Sequence, residues 1–181
     1  MKNIDGLLNY SRENNEITKK SLKLALIKLL KNYDFEDISV SKLCNVAGVS
    51  RMSFYRNYKI SNDILRDIAM DFNNDIVKNF GSPFKGNVSL DWYLNTFKKI
   101  YLNKEDHHIF VQKKFQEEWM NVVTNLASID NFNSNDIYYK TLIWCGGFEN
   151  IVTNWIRNGM QDKIEVISNY CLKYLPNMSD K

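Results

Sequence analysis

Apolar residues recur every three or four positions along most of this chain, which is the spacing that places them on one face of an α-helix. The pattern is clear over 18–32, where the apolar positions are Leu22, Ala25, Leu26, Leu29 and Leu30. The same spacing predicts further helices over 61–80, 89–101, 109–126, 136–160 and 162–175. Only two prolines and seven glycines occur in the 181 residues. The sequence therefore predicts an all-α protein of about nine helices.

Residues 38–59 divide into a short helix, a tight turn and a second short helix. The hydroxyl groups of Ser39 and Ser50 can each accept a backbone N–H at the start of a helix. Gly48 can adopt the left-handed conformation that ends a helix and turns the chain. The apolar faces of the two helices consist of Val40, Leu43, Cys44, Ala47, Phe54 and Tyr58. This arrangement predicts a helix-turn-helix, whose second helix enters the major groove of DNA.

The second short helix carries the candidate DNA-contacting side chains, and none of them is acidic. Arginine can bond guanine edges, while serine, asparagine and tyrosine can bond bases or phosphate oxygens. The residues expected to face the groove are Arg51, Met52, Ser53 and Tyr55. The residues expected to contact phosphates are Ser39, Ser41, Ser50, Asn57 and Lys59.

Charge favours the DNA interpretation over a hairpin that is only structural. Between Thr18 and Lys59 there are nine Lys or Arg and three Asp or Glu, so the segment carries 9 − 3 = +6. The whole chain carries only +3, so the remainder sums to −3. Positive charge concentrated on one small module is typical of a phosphate-binding surface. A helical protein whose hairpin is only structural stays as an alternative, because helix pairs joined through glycine are common.

The same stretch resembles the DNA-binding domain of TetR/AcrR-type transcriptional regulators. The residues that carry the resemblance are Ile38, Ser39, Val40, Leu43, Cys44, Ala47, Gly48, Val49, Ser50, Ser53, Phe54, Tyr55, Asn57 and Tyr58. The departures are mild: serine replaces threonine twice, Cys44 stands where alanine is usual, Tyr58 replaces phenylalanine, and Asn57 stands where histidine or tyrosine is frequent.

The resemblance implies an N-terminal three-helix head, joined by a long helix to a C-terminal helical bundle. It also implies a homodimer on a palindromic double-stranded DNA operator, with repression as the favoured interpretation. An unknown small-molecule effector in the C-terminal domain would release or tune the DNA complex. The alternative within this class is a C-terminal domain that binds a partner protein instead.

The resemblance and the composition together suggest three segments. Residues 1–17 are polar and rich in asparagine, and we expect a flexible arm or a short extra helix. Residues 18–80 form the head with its connecting helix, and the GSPFKG run at 81–86 marks the boundary. Residues 87–181 form the effector-binding and dimerisation domain.

The C-terminal domain contains an unusual pair of adjacent glycines inside a predicted helix. Gly146, Gly147, Phe148, Trp155 and Gly159 resemble a subgroup that includes dihydroxyacetone-operon activators. Close helix approach, across a dimer axis, or a local kink would account for the glycines. The expected interface residues are Gly146, Gly147, Ile151, Trp155, Ile167 and Tyr170. The expected pocket residues are Trp92, Tyr93, Phe97, Phe110, Trp119, Trp144 and Phe148, although most aromatic residues at helical spacing are core.

Nothing in the sequence indicates an enzyme, a cofactor or a metal. Serine-hydrolase, nucleotide-binding and zinc-protease motifs are absent. His107 and His108 are adjacent and point about 100° apart on a helix, so we expect them to be exposed or structural. The three cysteines are widely spaced and predicted to be buried thiols. We expect a cytoplasmic protein with no membrane partner, since no signal peptide or membrane-length apolar run is present.

Overall fold

The computed structural model describes residues 2–85, 88–129 and 135–177, and within these ranges the protein is all-α. The described part contains eight α-helices: α1 Lys2–Leu29, α2 Val40–Ala47, α3 Arg51–Asn57, α4 Asn62–Phe80, α5 Leu90–Leu102, α6 Lys113–Ile129, α7 Asn135–Arg157 and α8 Ile164–Tyr174. Two short 3₁₀ helices occupy Phe35–Asp37 and Lys104–Ile109. The predicted fold class is confirmed, with eight helices described where about nine were expected. None of the described helices is long and apolar enough to cross a bilayer.

The chain divides into two compact units, 1–68 and 69–181. In the first unit, α1 packs against both α2 and α3. Its core contains side chains that are fully buried: Leu22, Leu26, Leu43, Phe54, Ile64 and Leu65. These are the positions that the helical spacing placed on the inner faces, so the core of the predicted head forms as expected.

Helix α1 begins much earlier than the sequence predicted. It starts at Lys2, so residues 2–17 are helical rather than a flexible arm. The Thr18 hydroxyl, in the interior of this helix, donates to the backbone oxygen of Asn14 at 2.8 Å. A threonine side chain bonds the carbonyl four residues back inside a helix as readily as it caps one. Residues 12–16 are polar and 12–17 are all exposed, which explains why no apolar periodicity marks this part of the helix.

The boundary between the units lies inside α4, after Ile68, and not in the predicted 81–86 linker. Part of that linker packs within the second unit. The indole nitrogen of Trp92 donates to the backbone oxygen of Gly81 at 3.0 Å. The ring of Phe84 meets Trp144 edge-on, with centroids 5.4 Å apart. Residues 86 and 87, at the predicted start of the second domain, lie outside the described residues.

The second unit consists of the remainder of α4 together with α5 to α8. Helix α5 packs against α8, and α6 against α7. Its interior is dominated by aromatic rings from α5, α6 and α7, of which Tyr93, Phe97, Phe115 and Trp144 are at most 2% exposed. Ser89 caps α5 by accepting the backbone N–H of Trp92 at 3.2 Å.

Candidate nucleic-acid interface

The turn between α2 and α3 has the local geometry that the sequence predicted. Ser39 accepts the backbone N–H of Lys42 at 3.2 Å, and Ser50 accepts that of Ser53 at 3.0 Å. Gly48 ends α2 with a φ of +66°, in the left-handed region that residues with a side chain rarely adopt. Two hydroxyl caps and one glycine therefore set the angle at which α3 leaves the turn.

Cys44 occupies the position where alanine is usual, and its thiol has a specific contact. The sulfur lies 4.0 Å from the backbone oxygen of Ser50, to which the thiol can donate across the turn. Burial raises the pKa of Cys44 above its ordinary value, with a smaller opposing effect of the Arg51 charge. The group therefore stays a neutral thiol at physiological pH and acts in packing.

Helix α3 has one buried face and one exposed face. Phe54 is fully buried and Tyr58, just past the helix end, is 6% exposed. On the other side, Met52 is 67% and Tyr55 55% exposed, and Arg51 is also exposed. The described side chains that α3 presents to solvent are cationic, apolar or hydroxyl-bearing, and none is a carboxylate.

The predicted DNA-contacting side chains differ in their exposure to solvent and in the hydrogen bonds that they already make. Arg51, Met52 and Tyr55 are exposed, as are Ser39, Ser41, Ser50 and Lys59. Ser53 is only half-exposed, and its hydroxyl lies 3.0 Å from that of Ser50. The amide nitrogen of Asn57 donates one proton to the backbone oxygen of Ser53 at 2.8 Å, so its second N–H and its carbonyl are left to bind elsewhere. The Ser39 hydroxyl accepts a backbone N–H and keeps its own proton for a phosphate, whereas the Ser50 and Ser53 hydroxyls share one hydrogen bond and keep one proton between them.

Two cations near the turn were not among the predicted contact residues. Arg56 is exposed on α3, and its guanidinium nitrogen lies 3.6 Å from the sulfur of Met52. Lys42 lies over the ring of Tyr33, with its ammonium nitrogen 3.0 Å from the ring centre. The charge excess of the segment already included both residues, but only the folded chain shows where they lie.

Two aspartates of α4 hold the helix-turn-helix in place. The Asp67 carboxylate accepts the hydroxyl of Tyr58 at 2.6 Å and lies 3.5 Å from the ammonium of Lys23. The Asp63 carboxylate accepts the backbone N–H groups of Lys59 and Ile60 at 2.8 and 3.0 Å. One turn of α4 therefore fixes the end of α3 and the middle of α1 through charge-assisted hydrogen bonds.

The predicted pocket residues of the second unit come together as a packed aromatic core. Trp144 and Phe148 stack with centroids 4.9 Å apart, and the Trp92 ring lies 5.7 Å from each. The Trp144 indole nitrogen donates to the Tyr93 hydroxyl at 2.8 Å. Burial raises the pKa of Tyr93 to about 12, so this hydroxyl stays protonated. Phe97 and Trp119 lie 5.6 and 6.4 Å from Phe148, and Phe110 meets Phe72 and Phe115 edge-on at 5.0 and 5.3 Å.

Two small cavities remain beside this core, of about 20 Å³ each. That volume holds about one water molecule. Both cavities are lined by Phe72, Trp119 and Phe148, which separate them. The first is also lined by a polar chain in which Gln116 donates to the Thr153 hydroxyl and Thr153 to the Glu149 carboxylate, both at 3.0 Å. The predicted pocket is therefore filled by its own side chains.

The predicted dimer residues separate into buried and accessible groups. Trp155 is 3% exposed and donates to the Asp162 backbone oxygen at 3.0 Å, and Ile167 is 7% exposed. These two point into their own unit and drop out of the expected interface. A Cβ on Gly147 would lie 2.6 Å from Leu175 in the same chain, so this close approach is internal.

Gly146 and Tyr170 are the accessible members of that set. A Cβ on Gly146 would meet nothing within 4 Å, and Tyr170 is 57% exposed. Ile151 is half-buried. The close approach of Leu175 in the same chain therefore accounts for Gly147, whereas Gly146 faces open space.

The cysteines and histidines of the second unit have structural surroundings. Burial raises the pKa values of Cys145 and Cys171 to about 12, so both remain thiols. A ring nitrogen of His107, which is 5% exposed, lies 2.6 Å from the backbone oxygen of Ile100. Within the described residues, no three histidine, cysteine, aspartate or glutamate side chains are placed to hold a metal ion.

This arrangement of head and helical body is found in solved structures of TetR-type regulators. A TetR transcriptional regulator from Streptococcus agalactiae superposes with a TM-score of 0.61 at 16% identity, covering 93% of this chain and 98% of that one. The dihydroxyacetone kinase operon activator DhaS gives 0.52 at 18% identity, covering 87% and 93%. Bacillus subtilis FadR, solved with stearoyl-CoA, gives 0.56 at 16% identity, covering 89% and 99%.

The expected fold is thereby confirmed: the chain has the TetR-type regulator fold. At these identities the likeness establishes the fold alone. No protein-family model matches the sequence, and no curated protein matches it.

Proposed function

We propose that this protein is a sequence-specific DNA-binding transcriptional regulator that acts as a homodimer on a palindromic operator, as a repressor in the favoured interpretation. The observation that carries the proposal is the exposed, acid-free face of α3, held in position by the buried rings of Phe54 and Tyr58. A helix of seven residues reads only a few base pairs, so two heads on a two-fold site are expected. The +6 charge of residues 18–59 supplies the attraction to phosphates.

Arg51 and Lys59 should differ in what they contribute to DNA binding. Arg51 opens α3 and is exposed at the end that meets base edges in a helix-turn-helix. We expect Arg51→Ala to cost about 1–3 kcal/mol on the operator and to relax base preference at one position per half-site. Lys59 lies past the end of α3, and we expect Lys59→Ala to weaken all duplexes alike and reduce the salt slope. Both variants are to be titrated against the operator, single-base variants of it and unrelated DNA.

Lys98→Ala, an exposed lysine of the second unit, is the matched charge control and should leave DNA binding unchanged. Equal losses for Arg51→Ala and Lys59→Ala on every duplex would refute this division of roles.

For the dimer interface, the accessible face of α7 is the strongest candidate. Tyr139 is 61% and Ile143 60% exposed, and Gly146 and Asn150 continue the same helical face. Tyr170 of α8 is also exposed. These side chains, with the open space over Gly146, suit a close approach by α7 and α8 of a second copy.

The two adjacent glycines provide a direct test of the dimer. We expect Gly146→Leu to dissociate the dimer while the monomer stays folded, because leucine has open space and better helix propensity by about 1 kcal/mol. Asn95→Leu, at an exposed position of α5, is the control and should leave the dimer intact. Sedimentation equilibrium and denaturant unfolding measure the two effects separately. A Gly146→Leu protein that remains fully dimeric would exclude this face of α7.

Two kinds of ligand remain as candidates for the second unit, a small-molecule effector and a partner protein. The proposed one is a small-molecule effector, supported by FadR of the same fold, which was solved with stearoyl-CoA. It requires the aromatic core to open, because each cavity now has room for about one water molecule. The filled core favours the alternative, a partner protein bound at the surface.

The decisive experiment is selection of the purified protein on random duplex DNA at two salt concentrations. A recovered palindrome, bound with a steep salt dependence, would support the dimeric regulator and supply its operator. Weak binding without sequence enrichment would instead favour a helical protein whose hairpin is only structural.

A further inference from the structure

The outer face of α1 carries an exposed apolar stripe. Tyr10 is 66%, Ile17 63% and Leu24 58% exposed. They are spaced by seven residues, so each lies within about 20° of the previous one around the helix. The core side chains Leu22 and Leu26 lie on the opposite side of α1. The stripe therefore faces away from the protein's own core.

Residues 12–17 of α1 are helical although none of their side chains is buried in their own chain. Residues 12–17 are all exposed. Isolated helical segments of this length are marginal in water, so most protein helices are stabilised by packing of one face. A regular helical segment that presents an apolar stripe and is exposed throughout residues 12–17 is suited to packing on another molecule.

Charged and polar residues on either side of the stripe show an ordered pattern. By helical geometry, Glu13 and Lys20 lie on one side of it, and Asn14 and Ser21 on the other. Neither Glu13 nor Lys20 contacts an opposite charge in the described part of the chain. Each side therefore offers a pair of complementary groups one heptad apart.

We infer that this face of α1 binds the same face of a second copy of the chain, antiparallel, with Ile17 on the two-fold axis. Reversing the helix about Ile17 sets Tyr10 opposite Leu24 of the second copy, because both lie seven residues from the axis. The same operation brings Glu13 to within about 1.5 Å, along the axis, of Lys20 of the second copy. Two such ion pairs form, with Asn14 and Ser21 meeting on the other side.

Charge selects the antiparallel arrangement over the parallel one. In a parallel two-fold pair in register, the Glu13 and Lys20 side of one helix would face the Asn14 and Ser21 side of the other, so neither charge would meet an opposite charge, whereas the antiparallel pair forms two ion pairs. The stripe provides three apolar layers, so the contact is weak by itself and acts between copies that are already held close together. It is separate from the proposed α7–α8 dimer contact and joins head to head.

Cysteine cross-linking in the full-length protein tests the register. The native cysteines are buried, so the unmodified chain is the background control. We expect Ile17→Cys to form a disulfide-linked pair under mild oxidation, because the residue meets itself on the axis. Tyr10→Cys and Leu24→Cys should each give only background, whereas Tyr10→Cys/Leu24→Cys should cross-link efficiently. Non-reducing electrophoresis reads out each result, and circular dichroism verifies the fold.

A charge exchange tests the same contact by a second measurement. Glu13→Lys and Lys20→Glu, each added to Ile17→Cys, should lower the cross-linking rate several-fold, and Glu13→Lys/Lys20→Glu together should restore it. Cross-linking at Tyr10→Cys alone as fast as at Ile17→Cys, or no restoration by the double exchange, would overturn the inference. The contact rests on the proposed homodimer, but DNA selection does not enter either readout, so failure of this contact and failure of the proposed DNA binding are distinguishable.

Discussion

Replacing Phe54 by alanine should unfold the head of this protein. The ring is fully buried and packs against Tyr58, with centroids 6.2 Å apart. Removing a buried phenylalanine costs about 3–5 kcal/mol, the lost transfer free energy plus that of the cavity. This is a large share of the roughly 5–15 kcal/mol that stabilises a typical domain. Because α3 rests on this ring, operator binding should be lost together with the folded head.

The neighbouring residue provides the control. Tyr55 is 55% exposed, so Tyr55→Ala should change the free energy of unfolding by about 0.5 kcal/mol or less while still weakening DNA binding. Urea unfolding followed by circular dichroism measures both variants. A Phe54→Ala protein as stable as Tyr55→Ala would mean that the α3 core does not stabilise the head.

Replacing Phe148 by alanine should open the aromatic core of the second unit. Phe148 is 3% exposed, stacks on Trp144, and lines both small cavities. Its removal should merge the two spaces and cost about 3–5 kcal/mol. An apolar cavity of benzene size stays dry and binds small aromatic molecules. We therefore expect Phe148→Ala, and not the unmodified protein, to gain stability when benzene or indole is added.

Thermal unfolding with and without the aromatic ligand measures this effect through linkage. Tyr174→Ala is the control, since Tyr174 is 64% exposed and its loss creates no cavity. If indole stabilises the unmodified protein equally, the core already opens in solution, and the small-effector account gains over the partner-protein account.

The helix-turn-helix was predictable because its determinants are local. Each cap involves residues three apart, and Gly48 acts through its own backbone angle. The buried positions of α2 and α3 follow from helical spacing within a few residues. Determinants that act within a few residues can be recognised in a sequence without any knowledge of tertiary contacts.

The features that could not be predicted from the sequence depend on contacts between residues distant in the chain, or on a lack of contacts. The Tyr58–Asp67 hydrogen bond joins residues nine apart across a bend between helices. Residues 12–17 of α1 bury nothing, so no apolar pattern marked them as helical. Aromatic spacing identified the interior of the second unit correctly, but spacing cannot tell whether rings leave room between them. That depends on packing between α5, α6 and α7.

The position of the unit boundary inside α4 has a consequence for domain exchange. A chimera joined at 81–86 would transfer Phe72 and Asp75 with the head, although Phe72 packs on Phe110 and Asp75 pairs with Lys99 in the second unit. A junction after Ile68 keeps Asp63 and Asp67 with the helices they hold and leaves the α4 contacts of the second unit intact. If the head has the proposed operator specificity, a chimera joined within α4, after Ile68, should transfer it with the fewest contacts broken.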